Sequence, residues 1–144
     1  MPQDAVTIEV RSVSAAGAKI ALAAAEKLAV DKGLHVSIAV VDNAGHLVAC
    51  HRMDGGTVTS VEAATRKART AAQLRMPSKR FEDMLHGGMT AFLALEFITP
   101  MGGGIPLTID GLVVGGIGCS GASAEDDVAI GEAGLAALVA ASSN

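Results

Sequence analysis

The sequence predicts a single α+β domain, with antiparallel hairpins and helices in separate stretches of the chain. The first observation is turn chemistry: DNAG separates two apolar runs, 35–42 and 46–53, and Asp110-Gly111 separates two others. Tight turns join antiparallel strands, whereas parallel strands need long crossovers. The second observation is that helical patterns lie between the hairpins and not after each single strand. We expect one domain over residues 1–144, because this length suffices for one hydrophobic core.

The first half of the chain predicts a helix, a hairpin and a second helix. Residues 12–33 are rich in alanine, with Ser12 or Ser14 available as the N-cap and Gly33 as the stop. The runs 35–42 and 46–53 are apolar and β-branched, which is typical of paired strands. A second helical pattern covers 60–75 and ends before a Met-Pro pair.

The second half predicts a short helix, a second hairpin and a terminal helix. Residues 78–86 form the short helix, which ends at two glycines, whereas 89–99 fits both helix and strand and is left open. GIPLTI and LVVGGIGC are strands on either side of Asp110-Gly111. SAED (123–126) is a capping box that begins a helix running to about Ala141.

Composition excludes several classes of function. The formal net charge is −4, so we expect no nucleic-acid partner. Cys50 and Cys119 fit neither a disulfide framework nor a zinc pattern, and no other His, Cys, Asp or Glu spacing predicts a metal site. No signal peptide and no run of about 18 apolar residues occurs, so we expect a cytoplasmic protein without a membrane partner.

A glycine motif near the C-terminus raises the question of dinucleotide binding. Gly116, Gly118 and Gly121 spell G-x-G-x-x-G after an apolar run. A dinucleotide fold needs a second parallel strand with an acidic residue about twenty positions later, and the motif here follows a hairpin strand instead. We reject that interpretation. The glycines indicate either close packing of a helix on the sheet or a wall that faces a ligand.

Lys67 is a charged residue on the apolar face of its predicted helix. At 100° per residue it falls in the apolar arc of helix 60–75, between Ala71 and Leu74. Either the side chain extends past small alanines to solvent, or it points into a pocket and meets an anion. The candidate anions are Asp42, Asp54 and a ligand carboxylate.

On the second predicted strand, His51 points with the apolar side chains. It is either a satisfied core histidine, an acid–base group or, together with Met53, a candidate iron ligand. Arg52 and Asp54 follow directly. His35, His46 and His86 lie at element ends and are expected to be solvated.

The stretches IAVVDNAGHLVACHRMDG, ATRKARTAA, MPS and GGGIPL followed by DG and VVGGIGCSGASAEDD occur in that order over roughly residues 35 to 135. Together they resemble the GlcG/HbpS-like family, often labelled the haem-degrading domain and related to the C-terminal domain of PduO-type cobalamin adenosyltransferases. The resemblance implies a profilin-like fold with a five-stranded antiparallel sheet, homo-oligomers from tetramer to octamer, and haem as a ligand of several members. It supplies these candidate ligand-binding residues: Arg52, Met53, Asp54, Lys67, Gly103, Gly104, Pro106, Ser120 and Gly121.

Three hypotheses for function follow. The first is a small-ligand-binding protein that holds haem or a related tetrapyrrole as an oligomer, with Lys67 and Arg52 on the propionates and His51 or Met53 on iron. The second is an enzyme acting on a small carboxylate or hydroxy acid. There Lys67 or Arg52 would clamp the carboxylate, and His51 or Asp42 would transfer the proton. The third is an oligomeric scaffold without a ligand.

Overall fold

The computed structural model describes residues 3–143 and confirms the α+β class. Both hairpins and all four predicted helices are present. The 89–99 stretch, left open by its sequence pattern, contains a short 3-10 helix between turns. The elements are α1 (Ala15–Asp31), β1 (Ser37–Asp42), β2 (Leu47–Arg52), α2 (Ser60–Leu74), α3 (Lys79–His86), the 3-10 helix (Ala91–Ala94), β3 (Gly104–Ile109), β4 (Leu112–Ser120) and α4 (Ala124–Ser142).

The sheet has four strands in the order β2-β1-β4-β3, and every neighbouring pair is antiparallel. The expectation of five strands is therefore wrong for residues 3–143. The chain before α1 approaches the sheet with one backbone bond, from the N–H of Val13 to the carbonyl of Val114 at 2.8 Å, and does not continue as a ladder. Residues 91–94 curl into the 3-10 helix instead of extending.

Helices cover both faces of the sheet. α1 and α4 pack on one face, where Ile38, Leu107 and Ile117 form the centre of the main core. α2 packs on the other face, and Ala68 and Ala72 contact β1 through a smaller apolar cluster.

The glycines of β4 let α2 approach the sheet closely. A Cβ atom on Gly118 would lie 2.6 Å from the backbone nitrogen of Ala68 and would also overlap the carbonyl oxygen of Ala64. Gly116 faces the carbonyl of Ala68 in the same way. Of the two interpretations of these glycines, the structure supports close helix packing.

Local signals explain the turns and helix ends. Asp110 and Gly111 both have positive φ, 50° and 78°, as a two-residue hairpin turn requires. Of the two expected N-caps of α1, Ser14 accepts the N–H of Gly17. Ser123 caps α4 by accepting the N–H of Asp126, whose carboxylate in turn accepts the hydroxyl of Ser123.

Candidate functional site

Lys67 is buried and pairs with Asp127, an aspartate on the family pattern that was not expected to be its partner. Its Nζ lies 3.1 Å from Oδ2 of Asp127 on α4 and 3.1 Å from the carbonyl oxygen of Cys119 on β4. The side chain is 3% exposed, so it does not extend to solvent. The expected partners Asp42 and Asp54 are not in contact with it. We call Lys67, Cys119 and Asp127 the buried ion-pair cluster.

The carboxylate of Asp127 is the centre of this cluster. Besides Lys67 it accepts the backbone N–H of Ala122 at 3.1 Å and the thiol of Cys119 at 3.5 Å. Burial raises the pKa of the Asp127 carboxyl, while the Lys67 ammonium acts in the opposite direction. Burial likewise raises the pKa of the Cys119 thiol far above its usual range. An external carboxylate would have to displace Asp127 to reach Lys67.

Most of the glycines and small residues carried over from the family pattern pack against protein. A Cβ on Gly103 would lie 3.1 Å from Cδ of Lys67, and one on Gly104 would lie 2.8 Å from Oγ of Ser78 and overlap the carbonyl of Lys67. Ser120 closes β4 opposite Ser37. Three candidates therefore belong to the packing around α2 and the end of β4: Gly103, Gly104 and Ser120.

Pro106 and Gly121 lie at other positions in the fold. Pro106 pairs with Gly116 in the middle of β3, an edge strand. Gly121 follows β4 with φ 122°, and a Cβ there would lie 3.2 Å from the carbonyl oxygen of His35.

The consecutive candidates His51 to Asp54 do share an open cleft. It has a volume of about 310 Å³ and lies at the end of the edge strand β2. α1 and the residues before β1 provide the other wall. The lining residues are Glu26, His35, His51, Arg52, Met53 and Asp54. We call this the His51 cleft.

The imidazole of His51 is accessible and has an acidic neighbour. Its Nε2 lies 3.4 Å from Oε1 of Glu26, and its side chain is 48% exposed. The β1–β2 register places His51 opposite Ile38, on the side of the sheet that α1 covers. Met53 ends the hairpin by donating its N–H to the carbonyl of Val36 at 3.0 Å, and its half-buried side chain packs on the core. A half-exposed imidazole and a thioether thus border the same space.

Asp42 lies at the opposite end of the hairpin. Its Oδ1 accepts the N–H groups of Ala44 and His46, both at 2.9 Å, which builds the β1–β2 turn. It lies four residues beyond Ile38, the partner of His51, or about 13 Å along the strand. Of the four residues assigned to the enzyme hypothesis, only Arg52 and His51 come together.

Sequence reasoning missed Glu26 and the place of His35. His35 is exposed, as expected, yet it lines the cleft. Glu26 is half-buried, four residues after half-buried Leu22, and that acid on the flank of an alanine-rich helix was an available signal. Asp127 also had a signal, because it shares the buried face of α4 with Ile130 and Gly134.

A second groove, of about 510 Å³, lies between α2 and the chain before β3 and contains none of the predicted site residues. Within residues 3–143, no three His, Cys, Asp or Glu side chains converge to hold a metal ion. No helix in the same range has both the length and the apolar character to cross a membrane.

Comparison with known proteins agrees with this architecture. The family model described as "Haem degrading protein HbpS-like" matches residues 13–136. The curated protein GlcG of Escherichia coli K12 is 39% identical over 99 residues, which is 69% of this chain and 74% of GlcG.

Two solved structures share the fold over nearly the whole length. Protein ORFY of Klebsiella pneumoniae superposes with a TM-score of 0.89 at 28% identity, covering 94% of this chain and 97% of ORFY. A structure described as a PduOC:Heme complex superposes with a TM-score of 0.80 at 28% identity, covering 88% of this chain and 94% of that one. The resemblance read from the motifs is confirmed, and the chain belongs to the HbpS-like family.

Proposed function

We propose that this protein binds haem or a related tetrapyrrole in the His51 cleft. The observation that carries the proposal is the meeting of an accessible imidazole, a thioether and a guanidinium in one open space, at His51, Met53 and Arg52. The family description and the haem complex of a relative of the same fold support the choice of ligand.

The few possible ligand side chains in the cleft suit a metal ion that is already held by a macrocycle. Protein side chains alone offer no cluster of three metal ligands within the described chain. Haem iron needs only one or two ligands from the protein, and histidine and methionine are both used for this in haem proteins. His51 is the better candidate because its imidazole is half exposed, whereas Met53 is partly covered by the core. If haem is bound, His51 would hold its iron, and the iron would supply redox chemistry in the cleft.

Arg52 is the residue we assign to the acidic edge of the ligand. A guanidinium presents paired N–H donors that match a carboxylate, and haem carries two propionates. Lys67, which the sequence also suggested for this role, already pairs with Asp127. In this proposal it stabilises the fold and does not contact the ligand.

The faces of the tetrapyrrole ring would contact few aromatic side chains of the protein. The chain has three phenylalanines and no tyrosine or tryptophan, and none of the three lines the cleft. Apolar contact must come from Met53 and the aliphatic stems of neighbouring side chains. Because the cleft is open, we include an oligomer in the proposal, in which a neighbouring copy covers part of the ligand.

A haemin titration of the purified protein, followed by absorbance, tests the proposal. Wild type is expected to give a saturable Soret shift, which His51→Ala removes or weakens at least about tenfold in Kd. His46→Ala is the matched control, because this exposed histidine lies at the other end of the hairpin. A shift that does not saturate in the wild type, or that both variants keep unchanged, would contradict the assignment.

An enzyme that acts on a small carboxylate or hydroxy acid remains the alternative proposal, with only two of the four residues that the sequence suggested. Arg52 would bind the carboxylate and His51 would transfer the proton, without Lys67 or Asp42. Small hydroxy acids would then raise the melting temperature of the protein while haemin would not, because only a ligand of the native state stabilises it. A scaffold without a ligand would respond to neither compound.

A further inference from the structure

The chain before α1 carries an amphipathic strand pattern that the rest of the molecule leaves uncovered. In AVTIEV (5–10), Val6, Ile8 and Val10 alternate with smaller or polar residues. Their exposed fractions are 98%, 58% and 71%. Such alternation is typical of a strand with one buried face, and a strand is not stable in water without a partner. We call residues 5–10 the N-terminal arm.

The sheet offers one edge suited to receive a strand. β2 is an edge strand of six residues, LVACHR, with no proline or lysine, and its Leu47 is 54% exposed. Natural edges usually carry such residues because an open edge pairs with other chains. The opposite edge, β3, has Pro106 in its middle, which lacks an N–H donor. β2 is therefore the better acceptor.

The arm of the same chain does not lie along this edge, because the structure gives residues 5–10 no backbone hydrogen bond to β2. It leaves the body at the end of the sheet that holds both hairpin turns. There Arg11 lies 3.4 Å from Asp110, and Ser12 Oγ accepts the N–H of Asn43 at 3.2 Å. Val13 bonds to Val114. From Val114 to the outside of β2 beside Cys50 is three strand spacings sideways and four residues along, or about 19 Å. Ile8, five residues before Val13, spans at most about 17 Å, whereas Val6, seven residues before it, spans about 24 Å. The arm of the same chain can therefore reach this point only with its outer end and not with all six residues.

We propose that the N-terminal arm of one copy adds as an extra strand to β2 of a second copy. The arm and β2 each provide six residues, so the backbone groups match in number. The added strand would run beside His51 and Arg52 and would place the His51 cleft at a subunit boundary. Its assembly requires no ligand, so the proposal stands or falls separately from haem binding.

Cysteine scanning tests this directly, with Cys50 as the built-in acceptor. Cys50 is exposed in β2, whereas Cys119 is buried and cannot compete. Single cysteines are placed at each arm position from Val6→Cys to Val10→Cys, and the proteins are oxidised with copper phenanthroline. Disulfide-linked dimers are expected at alternate positions only, because neighbouring strands bring side chains of the same face within about 5 Å. Adding Cys50→Ser should abolish every cross-link.

Each other pattern overturns the proposal. Cross-links within one chain would place the arm on its own sheet, and equal or absent cross-linking along the arm would exclude strand pairing. Dimers of the wild type through Cys50 alone would show that β2 pairs with β2 of another copy.

Sedimentation provides the second readout. Removing residues 1–10 should weaken self-association at least about 100-fold in Kd, because three apolar side chains lose their burial. Val30→Asp, on an exposed position of α1, should leave the assembly mass unchanged. Unchanged association of the truncated chain would contradict the proposal.

Discussion

Replacing Lys67 by methionine would leave the carboxylate of Asp127 buried without its counter-ion. Methionine keeps most of the length and volume of the side chain, so the perturbation is mainly the loss of the ammonium. The two remaining partners of the carboxylate are the N–H of Ala122 and the thiol of Cys119. Removing one member of a buried ion pair typically costs about 3–5 kcal/mol. We expect that loss in the free energy of unfolding of Lys67→Met.

The double variant Lys67→Met with Asp127→Leu separates the charge from the packing. Replacing a whole buried pair by apolar residues is often close to neutral. Here it would also leave the N–H of Ala122 without its acceptor, which costs about 1–3 kcal/mol. The double variant is therefore expected to be more stable than Lys67→Met alone, although it carries one more substitution.

Urea unfolding followed by far-ultraviolet circular dichroism measures these differences. The chain has no tryptophan or tyrosine, so fluorescence gives little signal. Protein concentration must be the same throughout, because association adds to apparent stability. At about 3 °C per kcal/mol, the melting temperature of Lys67→Met should fall by about 9–15 °C.

Lys27→Met is the control for this series, because its exposed pair with Asp31 should contribute less than about 1 kcal/mol. A Lys67→Met protein within about 1 kcal/mol of wild type, or a double variant less stable than the single one, would refute the role of the buried ion-pair cluster.

Two further predictions concern packing and thiol chemistry. Gly118→Ala should lower the free energy of unfolding by about 1–3 kcal/mol because the new Cβ atom meets the backbone of α2. Gly87→Ala should be close to neutral, because Gly87 has space around it and an ordinary φ. Thermal unfolding of both variants checks this difference. A thiol reagent should modify Cys50 slowly in the native protein, because partial burial raises the pKa of that thiol. The same reagent should modify Cys119 only after unfolding. Mass spectrometry of labelled native protein measures both, and a reaction at Cys119 before Cys50 would contradict the prediction.

The elements that sequence predicted well are those with local signals. The Asp110-Gly111 turn depends on two adjacent residues, and the caps of α1 and α4 depend on residues three positions apart. Residues 89–99 carry no clear period, so only the surrounding fold decides that they become a 3-10 helix and turns. The expectation of a fifth strand rested on the family resemblance alone. The N-terminal arm, which has a strand pattern, pairs with no strand of its own chain.

Within the candidate site, contiguous residues were predictable and distant ones were not. His51 to Asp54 follow one another on a strand and its end, so their common cleft needed no long-range information. The partner of Lys67 lies 60 residues away, on a helix across the sheet, and the sequence pattern named nearer aspartates instead. Glu26 reaches His51 only because α1 packs against β2.

Locating the haemin-binding site by nuclear magnetic resonance tests the central claim most directly. Ferric haemin is paramagnetic and broadens nearby amide resonances in a ¹⁵N-labelled protein during a titration. The account predicts that the amides of His51, Arg52, Met53 and His35 broaden first, together with that of Glu26. Broadening centred on the groove near Ile98 and Met101, or spread evenly over the surface, would contradict a haem site in the His51 cleft.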